Sequence, residues 1–156
     1  MVSVGAHDAA AGPLQLQVVR LRAGARLPER QSALASGFDL HACLDGGTFE
    51  VGTRPVLVPT GLAIAAPAGS DVQVRPRSGL FARGVIAGLG TLDADYRGEV
   101  FVTMYCLPEP GRYVIADGER IAQLVVARLA TVAWAEVDAL PPSARGSSGH
   151  GSTGRA

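Results

Sequence analysis

A chain of 156 residues, 47% of them apolar, is long enough to form one domain around its own core without disulfide staples. Its 14 basic and 14 acidic residues cancel to a formal net charge of zero, so it lacks the broad basic footprint of a nucleic-acid-binding protein. No apolar run approaches a membrane span of roughly 18 residues, and residues 1–12 lack the basic start and apolar stretch of a signal peptide.

Thirty residues are glycine or proline, a share that suits a turn-rich β protein better than a helical bundle. Every basic residue is arginine, and lysine and asparagine are both absent, which reads as a compositional bias of the source. Cys43 and Cys106 match no metal-ligand spacing and point to a reducing, cytoplasmic setting.

Residues 1–13 are small and polar and read as a flexible N-terminal tail. Residues 14–21 alternate and then run apolar, as a strand does, and 22–36 read as a loop. Strands are expected at 38–43 and 48–51 around a turn at 45–47. Residues 54–67 are β-branched but broken by Pro59 and Gly61, which marks an edge or a bulge. A turn at 68–71 leads to a strand at 72–76, and a short helical turn is expected near 78–84. Further strands are expected at 100–107, 112–116 and 121–134, the last favoured over a helix by its valines and threonine. Nine or ten short strands at this spacing predict an all-β sandwich, jelly roll or barrel. Trp134 is expected in the core or an interface. After Pro141 and Pro142, residues 143–156 hold no apolar side chain larger than alanine and read as a mobile arm. The main domain is therefore expected over 14–140 and the arm over 141–156.

Five segments carry chemistry. In SGFDLHAC (36–43), Asp39 stands between Phe38 and Leu40, as a bridging buried acid or as a solvent-facing strand residue. In RPRSGLFARG (75–84), Arg77, Ser78 and Gly79 form a basic, hydroxyl-bearing turn whose unpaired N–H groups suit an anion; a strand end with a surface arginine is the plainer alternative. In GLGTLDADYRGEV (88–100), Asp93 and Asp95 share a face if the segment is extended. Asp93 follows Leu92, so it is expected to be partly desolvated and able to take a proton from water. The alternative is a solvated turn in which Gly98 supplies an unusual backbone angle. In GERIAQL (118–124), Gln123 is a polar residue in an apolar strand, and a buried amide needs partners. In RGSSGHGSTG (145–154), glycines alternate with hydroxyls behind Arg145, a phosphate-cradling composition or a flexible linker.

Taken in order, these five segments resemble the five sequence motifs of the homotrimeric dUTPases, from about residue 14 to the C-terminus. The related dCTP deaminases share the fold, but DADYRG and the glycine-rich end resemble the hydrolase branch. The resemblance implies a distorted jelly-roll, or β-clip, subunit with one short helix and a mobile glycine-rich tail. It implies a homotrimer with active sites shared between subunits, and hydrolysis of dUTP to dUMP and pyrophosphate with Mg2+ on the triphosphate. That reaction keeps uracil out of DNA and supplies dUMP for dTMP synthesis. By resemblance, Asp93 orients and activates the water, and Asp39 lies beside the phosphate and metal site. Arg77, Ser78, Gly79 and Gln123 hold phosphate oxygens, and Tyr96 packs against the deoxyribose. A β-hairpin around 85–92, with Gly90, Thr91 and Leu92, reads the base, while Arg145, His150, Gly151, Ser152 and Thr153 close over the nucleotide. Mg2+ sits mainly on phosphate oxygens and waters, as a hard octahedral ion prefers. His150 stands where the family has a phenylalanine that stacks on uracil, and the 81–91 hairpin segment is shorter than the usual pattern. The alternatives are a dCTP deaminase or bifunctional relative, and a nucleotide-binding regulatory protein on the same fold.

Overall fold

A computed structural model describes residues 12–144, 146 and 147. These form ten strands and one short helix in chain order. They are β1 (Gln17–Arg20), β2 (Gly37–His41), β3 (Thr48–Val51), β4 (Val56–Ala65), β5 (Ser70–Arg75), α1 (Ser78–Phe81), β6 (Val85–Ala87), β7 (Gly90–Leu92), β8 (Glu99–Cys106), β9 (Tyr113–Ala116) and β10 (Arg120–Arg128). Two four-stranded antiparallel sheets, ordered β1-β4-β8-β6 and β2-β10-β5-β7, face each other, and β3 and β9 pair separately.

Period-two burial builds the sandwich. Along β8, Val100, Val102, Met104 and Cys106 are buried, while Phe101 and Thr103 are exposed. Along β5, Ser70, Val72 and Val74 turn inward, and Asp71, Gln73 and Arg75 turn outward. These inward rows meet Leu40, Val58, Leu62, Ile64 and Leu124 in one hydrophobic core. Cys43 and Cys106 are both buried and free.

β4 takes the bulge and not the edge: it lies between β1 and β8, and its register with β8 shifts between Pro59 and Ala63. Gly61 sits there at φ +69°, and a Cβ on it would lie 2.9 Å from both the Ala25 Cβ and the Cys43 Sγ. The Glu99 Oε1 accepts its N–H at 2.8 Å, and Arg22 pairs with the other Glu99 oxygen at 3.0 Å.

Three expectations change. The strand expected to 134 ends at Arg128, because its neighbours β2 and β5 stop at Gly37 and Ser70 and leave later residues no ladder partner. Trp134 is accordingly 96% exposed and outside the core of the described residues, which overturns the core half of its expectation and leaves the interface half. The 85–92 segment is not a closed hairpin: β6 pairs with β8 and β7 pairs with β5, so it crosses from one sheet to the other.

Candidate active site

The outward face of the β2-β10-β5 sheet places Asp39 in a cleft that Arg77 and Arg120 also line. Asp39 is only 7% exposed, and each of its oxygens meets an arginine. Arg77 Nε lies 3.1 Å from Oδ1, and Arg120 Nη1 lies 3.2 Å from Oδ2. Arg77 Nη1 also donates to the Arg120 carbonyl at 2.9 Å, which ties the Arg77 side chain to the β10 backbone. Gln123 lies opposite Asp39 in the ladder, and its Nε2 donates to the Pro76 carbonyl at 3.0 Å. A Cβ on Gly37 would stand 2.1 Å from Gln123 Oε1, so glycine is what lets that amide sit flat on β2. Ser78 and Gly79 are exposed at the start of α1, beside these groups. The cleft has a volume of about 290 Å3.

Arg120 escaped the sequence reading for a geometric reason. In a regular strand, residues three apart face opposite sides, so Arg120 and Gln123 should diverge. A bulge between Arg120 and Ala122 shifts the register, pairing Arg120 with His41 and Gln123 with Asp39. Both side chains then face the cleft. The usable signal was Ile121 and Ala122, two adjacent apolar residues that are both buried.

Asp93 lies elsewhere. It opens a turn in which the Tyr96 N–H donates to the Asp93 carbonyl at 3.0 Å. The turn separates Asp93 from Asp95, so the shared extended face is not formed, and Asp93 is exposed on the isolated chain. Arg97 Nη1 donates to the Ala94 and Tyr96 carbonyls at 2.7 Å each, and the Tyr96 hydroxyl donates to the Glu99 carbonyl at 3.0 Å. Gly98 has no positive φ; its role is space, since a Cβ there would stand 2.4 Å from the Tyr96 hydroxyl. Thr91, Leu92, Asp93 and Tyr96 line a second cleft of about 260 Å3, walled by Leu57 and Phe101. Gly90 opens β7 just before it. Among the described residues, the two clefts share no lining residue.

His41 follows Asp39 on the same face of β2. Burial, then Arg26, holds its pKa below the ordinary 6.5, and its Nδ1 is buried with no partner among the described residues. Arg145, His150, Gly151, Ser152 and Thr153 lie outside the described residues. No group of three or more His, Cys, Asp or Glu side chains able to hold a metal occurs among the described residues. No helix among them is long and apolar enough to cross a membrane.

The described residues thus form an all-β sandwich that carries a cleft with two arginines paired to one carboxylate and, apart from it, a turn bearing Asp93. The chain belongs to the dUTPase family, whose profile matches residues 23–154. Among solved structures it is similar to the dUTPase of Staphylococcus bacteriophage 80alpha with dUpNHpp, at 26% identity, a TM-score of 0.77, and coverage of 90% of this chain and 99% of that one. A glycine-to-serine variant of that phage dUTPase with dUpNHpp matches at 26% identity and a TM-score of 0.77, again over 90% and 99% of the two chains. An aspartate-to-asparagine variant of the dUTPase from phage phi11 of S. aureus, described for its coordination of a structural Mg(II) ion, shares the fold. It matches at 22% identity and a TM-score of 0.70, over 80% of this chain and 97% of that one.

Proposed function

We propose that the protein is a dUTP diphosphatase that hydrolyses dUTP to dUMP and pyrophosphate by attack of water at the α-phosphorus. The observation that carries this reading is the Arg77–Asp39–Arg120 arrangement, found within a chain that belongs to the dUTPase family. Phosphoryl chemistry of this kind needs positioned charge and an aligned water more than covalent help. Arg77 and Arg120 supply two guanidinium groups, Ser78 and Gly79 supply hydroxyl and backbone donors, and Gln123 supplies an amide. Asp39 acts as the group that fixes both arginines, because each of its oxygens is already engaged. Asp93 is the base that orients and deprotonates the water, and Tyr96 beside it packs against the deoxyribose.

The residues of the anion cleft fit Mg2+ that arrives on the triphosphate. The cleft holds one carboxylate, Asp39, already bound to arginines, so the ion's oxygens come mainly from phosphate and water. When bound, Mg2+ neutralises charge on the triphosphate and leaving pyrophosphate.

Because Asp93 and Arg77 line separate clefts of one chain, a complete site forms where the Asp93 cleft of one subunit meets the Arg77 cleft of another in a homotrimer. Exposed Leu129, Val132, Trp134, Val137 and Leu140, strung along a segment outside the sheets, supply apolar surface for that assembly. Residues 141–156 act as the arm that closes over the nucleotide, and residues 1–13 lie outside the working domain of 14–140. The buried free thiols of Cys43 and Cys106 suit a reducing cytoplasm.

The test is pyrophosphate release with Mg2+ from dUTP, dTTP, dCTP and UTP in parallel, on the wild type and Asp93→Asn. The wild type turns over dUTP far faster than the others. The variant binds dUTP but hydrolyses it about 10²–10⁴-fold more slowly. Equal turnover by the variant would remove Asp93 from its role.

A further inference from the structure

We infer that Gln31, which lies outside the five motif segments, is a further substrate-contact residue whose side-chain amide binds the nucleotide's polyphosphate in the Arg77–Arg120 cleft. The inference rests on the diphosphatase reading and adds a residue to its anion site. Gln31 lines that cleft together with Arg77, Ser78, Gly79, Arg120 and Gln123. The loop holds it there by anchors on both sides. Just before it, the Glu29 carbonyl accepts the Asp39 N–H at 2.8 Å, in an isolated bridge to β2. Arg30 then stacks its guanidinium 4.4 Å from the centroid of the Phe38 ring. Just after it, the Ala35 N–H donates to the Ser32 carbonyl at 3.1 Å and closes a turn. The backbone on either side of Gln31 is therefore anchored beside the carboxylate that positions both arginines.

The chemistry of the place selects an anion. Arg77 and Arg120 against Asp39 leave one net positive charge in the cleft. The Gln31 amide brings two N–H donors and no charge, and no group among the described residues uses them. An amide beside two guanidinium groups adds hydrogen bonds to phosphate oxygens without opposing the field that draws them in.

The experiment is steady-state kinetics of the full chain with dUTP and Mg2+, together with calorimetric titration of inorganic pyrophosphate. Gln31→Ala raises KM about tenfold, the loss of one hydrogen bond to a charged ligand. Its kcat changes by less than about twofold, because the interaction is made in ground and transition states alike. Gln31→Glu raises KM further and more steeply at low salt, since a carboxylate in the cleft repels phosphate. Both variants keep the wild-type melting temperature, as the side chain is exposed. Unchanged KM and unchanged pyrophosphate affinity in Gln31→Ala would overturn the inference while leaving the diphosphatase reading intact. A wild type inert toward dUTP would overturn that reading, and the pyrophosphate titration would still decide on Gln31.

Discussion

Asp39 holds one negative charge between two guanidinium groups, and that arrangement sets what the residue does. Its oxygens sit 3.1 and 3.2 Å from Arg77 and Arg120. The arginines repel each other, so they lie side by side only while the carboxylate is there. Asp39→Asn keeps the shape and removes the charge. The variant should lose about 1–2 kcal/mol of stability, less than a fully buried pair would, because both arginines reach solvent. Its KM for dUTP should rise at least about tenfold, as the two arginines no longer present a joined anion site. Urea unfolding and steady-state kinetics read the two effects separately. Unchanged KM would mean that the arginines hold their places without Asp39.

At the scale of elements, two bulges do the positioning. The β10 bulge brings Arg120 and Gln123 to one face. The β4 bulge, with Gly61 at φ +69°, is clamped by Glu99, which opens β8 directly after the Asp93 turn. Gly61→Ala should cost about 1–2 kcal/mol for the left-handed backbone alone, and more because the new Cβ meets Ala25 and Cys43. Thermal unfolding would show it, and a melting temperature equal to wild type would contradict this account of β4. These bulges also mark where the sequence stops being readable. Alternation in 100–107 and 72–76 was plain because one face of each strand is buried and the other is not. The short helix at Ser78 and the break at Pro59 and Gly61 were also visible, since proline and glycine leave local marks. Arg120 was not, because a one-residue register shift depends on the partner strand. The crossing of residues 85–92 between sheets and the end of β10 at Arg128 likewise depend on which strands lie alongside. Within the site, the motif segments named Asp39, Arg77, Ser78 and Gln123, which the fold does bring into one cleft. They could not show that Asp93 lines a different one.

For the whole molecule, that separation is the central fact. Among its described residues a single chain holds an arginine-lined cleft and a carboxylate cleft with no lining residue in common, and an exposed apolar segment from Leu129 to Leu140. The proposed assembly of copies would resolve both features, joining the clefts and covering the segment. The most direct test is complementation. Arg77→Ala and Asp93→Asn chains, each inactive by itself, are unfolded together, refolded as an equal mixture and assayed for pyrophosphate release from dUTP. If each site takes Asp93 from one chain and Arg77 from another, random trimers regain roughly a quarter of wild-type activity. A mixture no more active than its two components would contradict the shared site and place both residues' chemistry within one chain.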